Sequence, residues 1–162
     1  MKRDQLLTVL EAARARLDGA LVGMSPAELT GPGPGGEWAV KDILAHVTAW
    51  DVDLLTNLGS VKRGQKPGRT AWDAAGIQAQ NEAWHAELKD RPLERVLADY
   101  DGVHEQLLRQ VRGLSDAELE APAAWLQGRP LFQYFVDHIV THENEHGAEL
   151  AEWRDHHNQV AT

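Results

Sequence analysis

EWAVKDILAHVTAWD, residues 37–51, decides the fold. Val40, Ile43, Leu44, Val47 and Trp50 recur three and four residues apart, so from about Ala39 the segment reads as a helix with one apolar stripe. Leu54 and Leu55 carry the stripe on to about Leu58. His46 stands in the middle of it, where an imidazole without partners is costly to bury. A second segment, DHIVTHENEHGAEL at 137–150, places His138, His142 and His146 four residues apart. Helix positions four apart lie within about 40° of each other around the axis, so these rings climb one stripe. Phe135, Ile139, Leu150 and Trp153 lie beside it and turn it toward a core.

The rest of the chain is helical too. Leu6, Leu7, Leu10, Ala13, Leu17 and Leu21 predict a first helix over 3–22. Ser25-Pro26-Ala27-Glu28 has capping-box form and predicts a helical turn ending by Thr30. GPGPGGEW, 31–38, is too rich in Gly and Pro for regular structure and reads as an ordered loop or a lid. A loop is expected over 59–70, and a more polar helix over 71–88. Arg91-Pro92 interrupts before an apolar repeat from Leu93 to Leu114. Ser115-Asp116-Ala117-Glu118 is a second capping box, and the last helix is expected over 130–156. GMSPAELT (23–30) and GLSDAELE (113–120) echo one another, as do DILAHVTAW (42–50) and YFVDHIVTH (134–142). Two such halves, each a helix pair, make an all-α four-helix bundle with short extra helices in its loops.

A chain of 162 residues suits one domain spanning 1–162. It has no cysteine, so a first-row metal must be held by histidine and carboxylate. The formal charge of −9 argues against nucleic acid as a partner. Lys62, Arg63, Lys66 and Arg69 read as a solvated loop cluster. No apolar run is long enough to span a membrane, and MKRDQLLTVLEAARARL does not read as a signal peptide, so a cytoplasmic location is expected.

Eight histidines are present. His156 and His157 read as tail surface, and His85 and His104 as solitary residues on polar faces. His46 with the 138–146 stripe is different, because a divalent ion can take one nitrogen from each of several buried rings. The spacing leaves open which rings of the stripe join His46. HENEH, 142–146, matches the H-E-x-x-H signature of zinc peptidases. The extended form needs a glycine at position 149 and a histidine at 152, where this chain has Glu149 and Glu152. With no strand pattern to hold a peptide, the peptidase reading is set aside. Glu143 stays a candidate base toward a metal-bound water, or an acceptor for a ligand ring, beside the simpler reading of a solvated helix glutamate. Trp38, Trp50 and Trp125 are candidates for a pocket mouth or for core packing.

EWAVKDILAHVTAWD, DHIVTHENEHGAEL and the central NEAWHAELKDRPLERVLADYDGVHEQLL (81–108) together resemble the DinB-like superfamily, over nearly the whole chain. The resemblance implies a bundle of up-down-down-up connectivity, often a homodimer. It implies a divalent ion such as zinc or nickel, held by one histidine of the second helix and two on the fourth: His46, His142 and His146. His138 matches an additional histidine that is usually not a ligand. Gly147-Ala148-Glu149 departs from the family's usual Gly-Gln after the last ligand. Characterised members include S-transferases and isomerases that use a low-molecular-weight thiol, hydrolases, and proteins that protect the cell from a toxic metabolite. The expected function is therefore a metal-dependent transferase or hydrolase of a small-molecule substrate, with sequestration without turnover as the alternative. A bundle with purely structural histidines is the third possibility.

Overall fold

Four long helices carry the molecule, and their buried faces are the stripes the sequence shows. The computed structural model describes residues 1–34, 36–68 and 73–160. Arg69 of the basic cluster and the expected helix start at Ala71 lie outside those residues. Helix α1 (Arg3–Leu21) buries Leu6, Leu10, Ala13 and Leu17. The short α2 (Pro26–Thr30) starts at Ser25, whose hydroxyl accepts from the Glu28 amide while Glu28 accepts from the Ser25 amide at 2.7 Å. Helix α3 runs Val40–Lys62, past the expected end at Leu58. Helix α4 (Ala74–Leu88) is capped by Asp73, which accepts from the Gly76 amide at 2.8 Å. Helix α5 is Leu93–Arg112, and α6 (Asp116–Glu120) opens on the second capping box, at Ser115.

The last helix is not uniform. It opens as α7 (Leu131–Phe135), widens into a π turn over Val136–Val140, and continues as α8 (Thr141–Val160). Among the described residues the only β pairing is two isolated bridges, Pro32 with Ala39 and Pro122 with Pro130. Each closes a loop onto the start of a long helix. No helix of the described residues is long and apolar enough to cross a membrane.

Side-chain contacts fix the connectivity. Arg14 meets Glu143 and Arg154 meets the Ala20 carbonyl, so α1 and α8 run parallel. His46 meets His142 and Asn57 meets Tyr134, so α3 is antiparallel to the last helix. Leu44 packs in one cluster with Tyr100, and Leu54 in another with Leu107, so α3 and α5 run parallel. The order is up, down, down, up, with α4 returning the chain along α3. Two apolar clusters fill the bundle. One holds Leu6, Leu54, Leu107 and Phe135, the other Leu17, Leu44, Tyr100 and Leu150. Each such side chain contributes roughly 1.5–3 kcal/mol by leaving water.

Candidate metal centre

Helix α3 presents His46 from its apolar stripe, and the structure buries the residue to 7% exposure. The loop before α3 folds back on its own end. The Gly33 amide donates to the Trp38 carbonyl at 2.8 Å, and a Cβ at Gly33 would stand 3.0 Å from that oxygen. The turn sets Trp38 edge-on to His46, with ring centres 5.4 Å apart. Trp38 also stacks on His85, centres 4.5 Å apart, and His85 lies 3.5 Å from Asp42. Trp38 is thus a backing wall for His46.

The Nε2 atom of His142 lies 2.9 Å from Nε2 of His46 and 3.0 Å from Nε2 of His146. Among the described residues, these three histidines form the one group of ligand-type side chains whose donor atoms all lie within 4.8 Å of one another. One ring nitrogen offers either one N–H or one lone pair, so hydrogen bonding alone serves three converging Nε2 atoms poorly. His146 Nδ1 lies 3.1 Å from Glu149 Oε2; donation to that carboxylate leaves Nε2 as the lone-pair atom. Burial, followed by the neighbouring His146, lowers the pKa of His46 to about 3. Burial again, then His146, His46 and His138, lowers that of His142 to about 2. Both rings are therefore neutral near neutral pH, the form that binds a metal. Imidazole nitrogens on a tetrahedral ion at about 2.05 Å stand roughly 3.3 Å apart, so a small outward shift of these side chains suits zinc or a similar ion. The residues fit a divalent ion.

The cluster opens on a cavity of 520 Å³ that His46 and His142 help to line. Trp50, Ile77, Trp125 and Leu126 form its apolar wall, and Asn81, Gln127, Arg129 and Asp137 its polar one. Trp50 donates from Nε1 to Asn81 at 3.0 Å, tying α4 to α3 at the rim. The loop between α6 and α7 brings in Trp125, Leu126 and Gln127, and Gln127 holds a left-handed backbone with φ of 58°. A non-glycine residue there is uncommon and recurs at functional sites. Arg129 donates to Asp137 at 2.8 Å. His138 packs on Tyr134, ring centres 4.4 Å apart, and lines the cavity without joining the three-histidine group.

Glu143 is not solvated: its exposure is 0%, and Arg14 Nη1 donates to its Oε1 at 3.4 Å. Burial, partly offset by Arg14, raises its pKa to about 7. The carboxylate belongs to the bundle interior, and among the described residues it is not part of the histidine group. The cavity carboxylate of HENEH is instead Glu145. His104 is not on a polar face; it is buried, and burial lowers its pKa to about 4. Trp38 packs behind His46 and is not among the cavity-lining residues, whereas Trp50 and Trp125 are. Asn81, Gln127 and Arg129 of the cavity wall leave no mark in the sequence, because polar residues on loops and rims carry no periodic signal.

A four-helix bundle with an interhelical histidine cluster beside a cavity defines the class: helical proteins with a candidate metal site between the second and last long helices. A model of the DinB superfamily matches residues 9–150, and the chain belongs to that family. Three solved structures share the fold. An uncharacterised protein from Escherichia coli UTI89 has a TM-score of 0.83 at 15% identity, over 97% of this chain and 95% of that one. DfsB, a sibling lethal factor precursor, has a TM-score of 0.83 at 16% identity, over 97% of both chains. The colibactin self-resistance protein ClbS, in complex with double-stranded DNA, has a TM-score of 0.82 at 13% identity, over 94% of this chain and 95% of that one. A curated relative, GTP 3',8-cyclase of Stenotrophomonas maltophilia (strain K279a), is 31% identical over 88% of this chain and 48% of its own length. The chain thus spans about half the length of that curated relative. ClbS overturns one expectation. Nucleic acid was excluded on the net charge of −9, yet a protein of this fold is seen on DNA, so overall charge does not support that exclusion.

Proposed function

We propose that the chain is a divalent-metal-binding protein that acts on a small molecule, as a thiol-dependent transferase or a hydrolase. The carrying observation is the convergence of His46, His142 and His146 at the edge of the 520 Å³ cavity. When bound, zinc or nickel supplies a Lewis acid with an open position, able to acidify a water or hold a thiol as thiolate. The chain has no cysteine, so the thiol belongs to a low-molecular-weight cofactor or to the substrate. Trp50, Ile77 and Trp125 receive an apolar body and keep water from it. Arg129 and Gln127 offer donors to its polar groups. Glu145, as the glutamate on the cavity wall, takes the proton role that the motif pattern assigned to Glu143.

The test is turnover. Protein loaded with zinc or nickel is incubated with a small thiol and a panel of electrophiles and esters, and products are read by mass spectrometry. Metal-dependent product that disappears in His142→Ala supports the proposal. A second reading, sequestration without turnover, takes its support from the self-resistance role in the name of ClbS. It expects ligand binding that survives metal removal and gives no product. Double-stranded DNA belongs in the same binding assay.

A further inference from the structure

Between the two apolar clusters lies a layer of buried polar side chains, one from each long helix: Arg14 on α1, Asp51 on α3, His104 on α5 and Glu143 on α8. Arg14 is held independently of Glu143. Its Nη2 donates to the Tyr100 carbonyl, and its guanidinium carbon lies 3.3 Å over the Tyr100 ring. The Tyr100 hydroxyl in turn donates to Asp18 at 2.9 Å. Arg14 is thus a fixed point on the α1–α5 seam, and Glu143 of α8 reaches it at 3.4 Å.

The layer is a poor source of stability. Buried ion pairs seldom repay their desolvation and are often replaceable by apolar residues at no loss. Among the described residues, this one also leaves Glu143 Oε2, Asp51 Oδ1 and His104 Nδ1 without hydrogen-bond partners. Such pairs are best attested where they fix register. Glu143 directly follows His142, and it leaves α8 on the side facing α1 while His142 faces the cavity. Two further contacts act along the same seam. Arg16 donates to Asn144 at 2.9 Å, and Gly147 backs onto the Leu17 backbone. Functional constellations tolerate only about 0.5 Å and 10–20° of misplacement, and a slight turn of α8 about its axis exceeds that at the tip of an imidazole.

We propose that the buried Arg14–Glu143 pair is a positioning device, which sets the rotation of α8 so that His142 and His146 meet His46. The inference rests on the metal-site reading above. The test compares zinc affinity, by competition with a chromophoric chelator, with the melting midpoint of the metal-free protein. The double variant Arg14→Met/Glu143→Leu should keep or raise the midpoint and weaken zinc about tenfold or more, the range seen when groups supporting metal ligands are removed. Its cobalt-loaded form should show a shifted ligand-field spectrum. Glu143→Gln, whose amide oxygen still accepts from Arg14, should restore affinity to within about threefold of the parent. If the double variant does not fold, Arg14→Lys carries the test: the guanidinium fork is lost, and affinity should drop with the fold intact. Unchanged affinity and spectrum in a folded double or Arg14→Lys variant overturns the inference. So does a Gln variant that loses affinity as fully as the Leu variant. A parent protein that binds no zinc, nickel or cobalt fails at the earlier step instead, and so marks the metal-site reading as the error.

Discussion

At the residue scale, the buried polar layer was present in the sequence as charged residues lying on apolar stripes. Arg14 stands four after Leu10 and three before Leu17; Asp51 four after Val47 and three before Leu54. His104 stands four after Tyr100 and three before Leu107, and Glu143 four after Ile139 and seven before Leu150. Each therefore points inward by spacing alone. The motif leaves Glu143 open between a base, an acceptor for a ligand ring and a solvated residue, and His104 reads as lying on a polar face, because a lone polar residue is usually exposed. Only the four stripes taken together reveal the layer. The histidine pKa values lead to a prediction. His46 and His142 titrate at about 3 and about 2 in the folded chain and near 6.5 when unfolded. Between about pH 3 and 6.5 the unfolded chain holds more protons on these rings, so their contribution to stability rises with pH. Asp51 and Glu143, both raised by burial, act in the opposite sense, so a variant comparison isolates the rings. Acidifying the metal-free protein from pH 7.5 to 5 should lower the melting midpoint more in the parent than in His142→Ala. Equal falls would remove the neutral-ring argument.

At the element scale, both capping boxes and the starts of the long helices were legible, since capping residues and apolar periodicity are local signals. Ser115→Ala should cost about 1 kcal/mol in a urea titration, by releasing the Glu118 amide. Two features were not legible. Helix α3 continues through Gly59 and Ser60, which local propensity disfavours; contact with α5, including Lys62 donating to Gln110 at 3.0 Å, carries it on. The π turn at Val136–Val140 is also silent in a pattern read at 3.6 residues per turn, yet it directly precedes the helix that carries His142 and His146. It takes His138 out of simple register with His142 and His146. A close approach is testable here. A Cβ on Gly147 would stand 3.2 Å from the Leu17 Cα and amide nitrogen, which are backbone atoms that yield little. Gly147→Ala should destabilise by about 1–3 kcal/mol and weaken metal binding by pushing α8 away from α1. A variant as stable as the parent would show that the seam is looser than its geometry indicates.

At the scale of the whole molecule, one histidine cluster ties the first half of the chain to the last. A ligand bound only by the folded state stabilises it by RT ln(1 + [L]/Kd), about 4 kcal/mol at a thousandfold excess over Kd. For a domain of this size that is roughly 8–16 °C in melting midpoint. Zinc or nickel should produce such a rise in the parent protein and little in His46→Ala, read by calorimetry. The up-down-down-up bundle was legible through the resemblance, and the histidine stripe through spacing. The cavity was not, because it forms where α3, α4, the 122–130 loop and the last helix meet, and no local pattern encodes that meeting. Net charge was the weakest guide: a total of −9 says nothing of how charge is distributed over a surface.

The most direct measurement is the metal content of protein purified without a histidine tag and without added metal, by mass spectrometry of the elements, for the parent and for His46→Ala. The account predicts close to one divalent transition-metal ion per chain in the parent and almost none in the variant. A parent free of metal after reconstitution with zinc, nickel and cobalt, or a variant that holds as much as the parent, contradicts it.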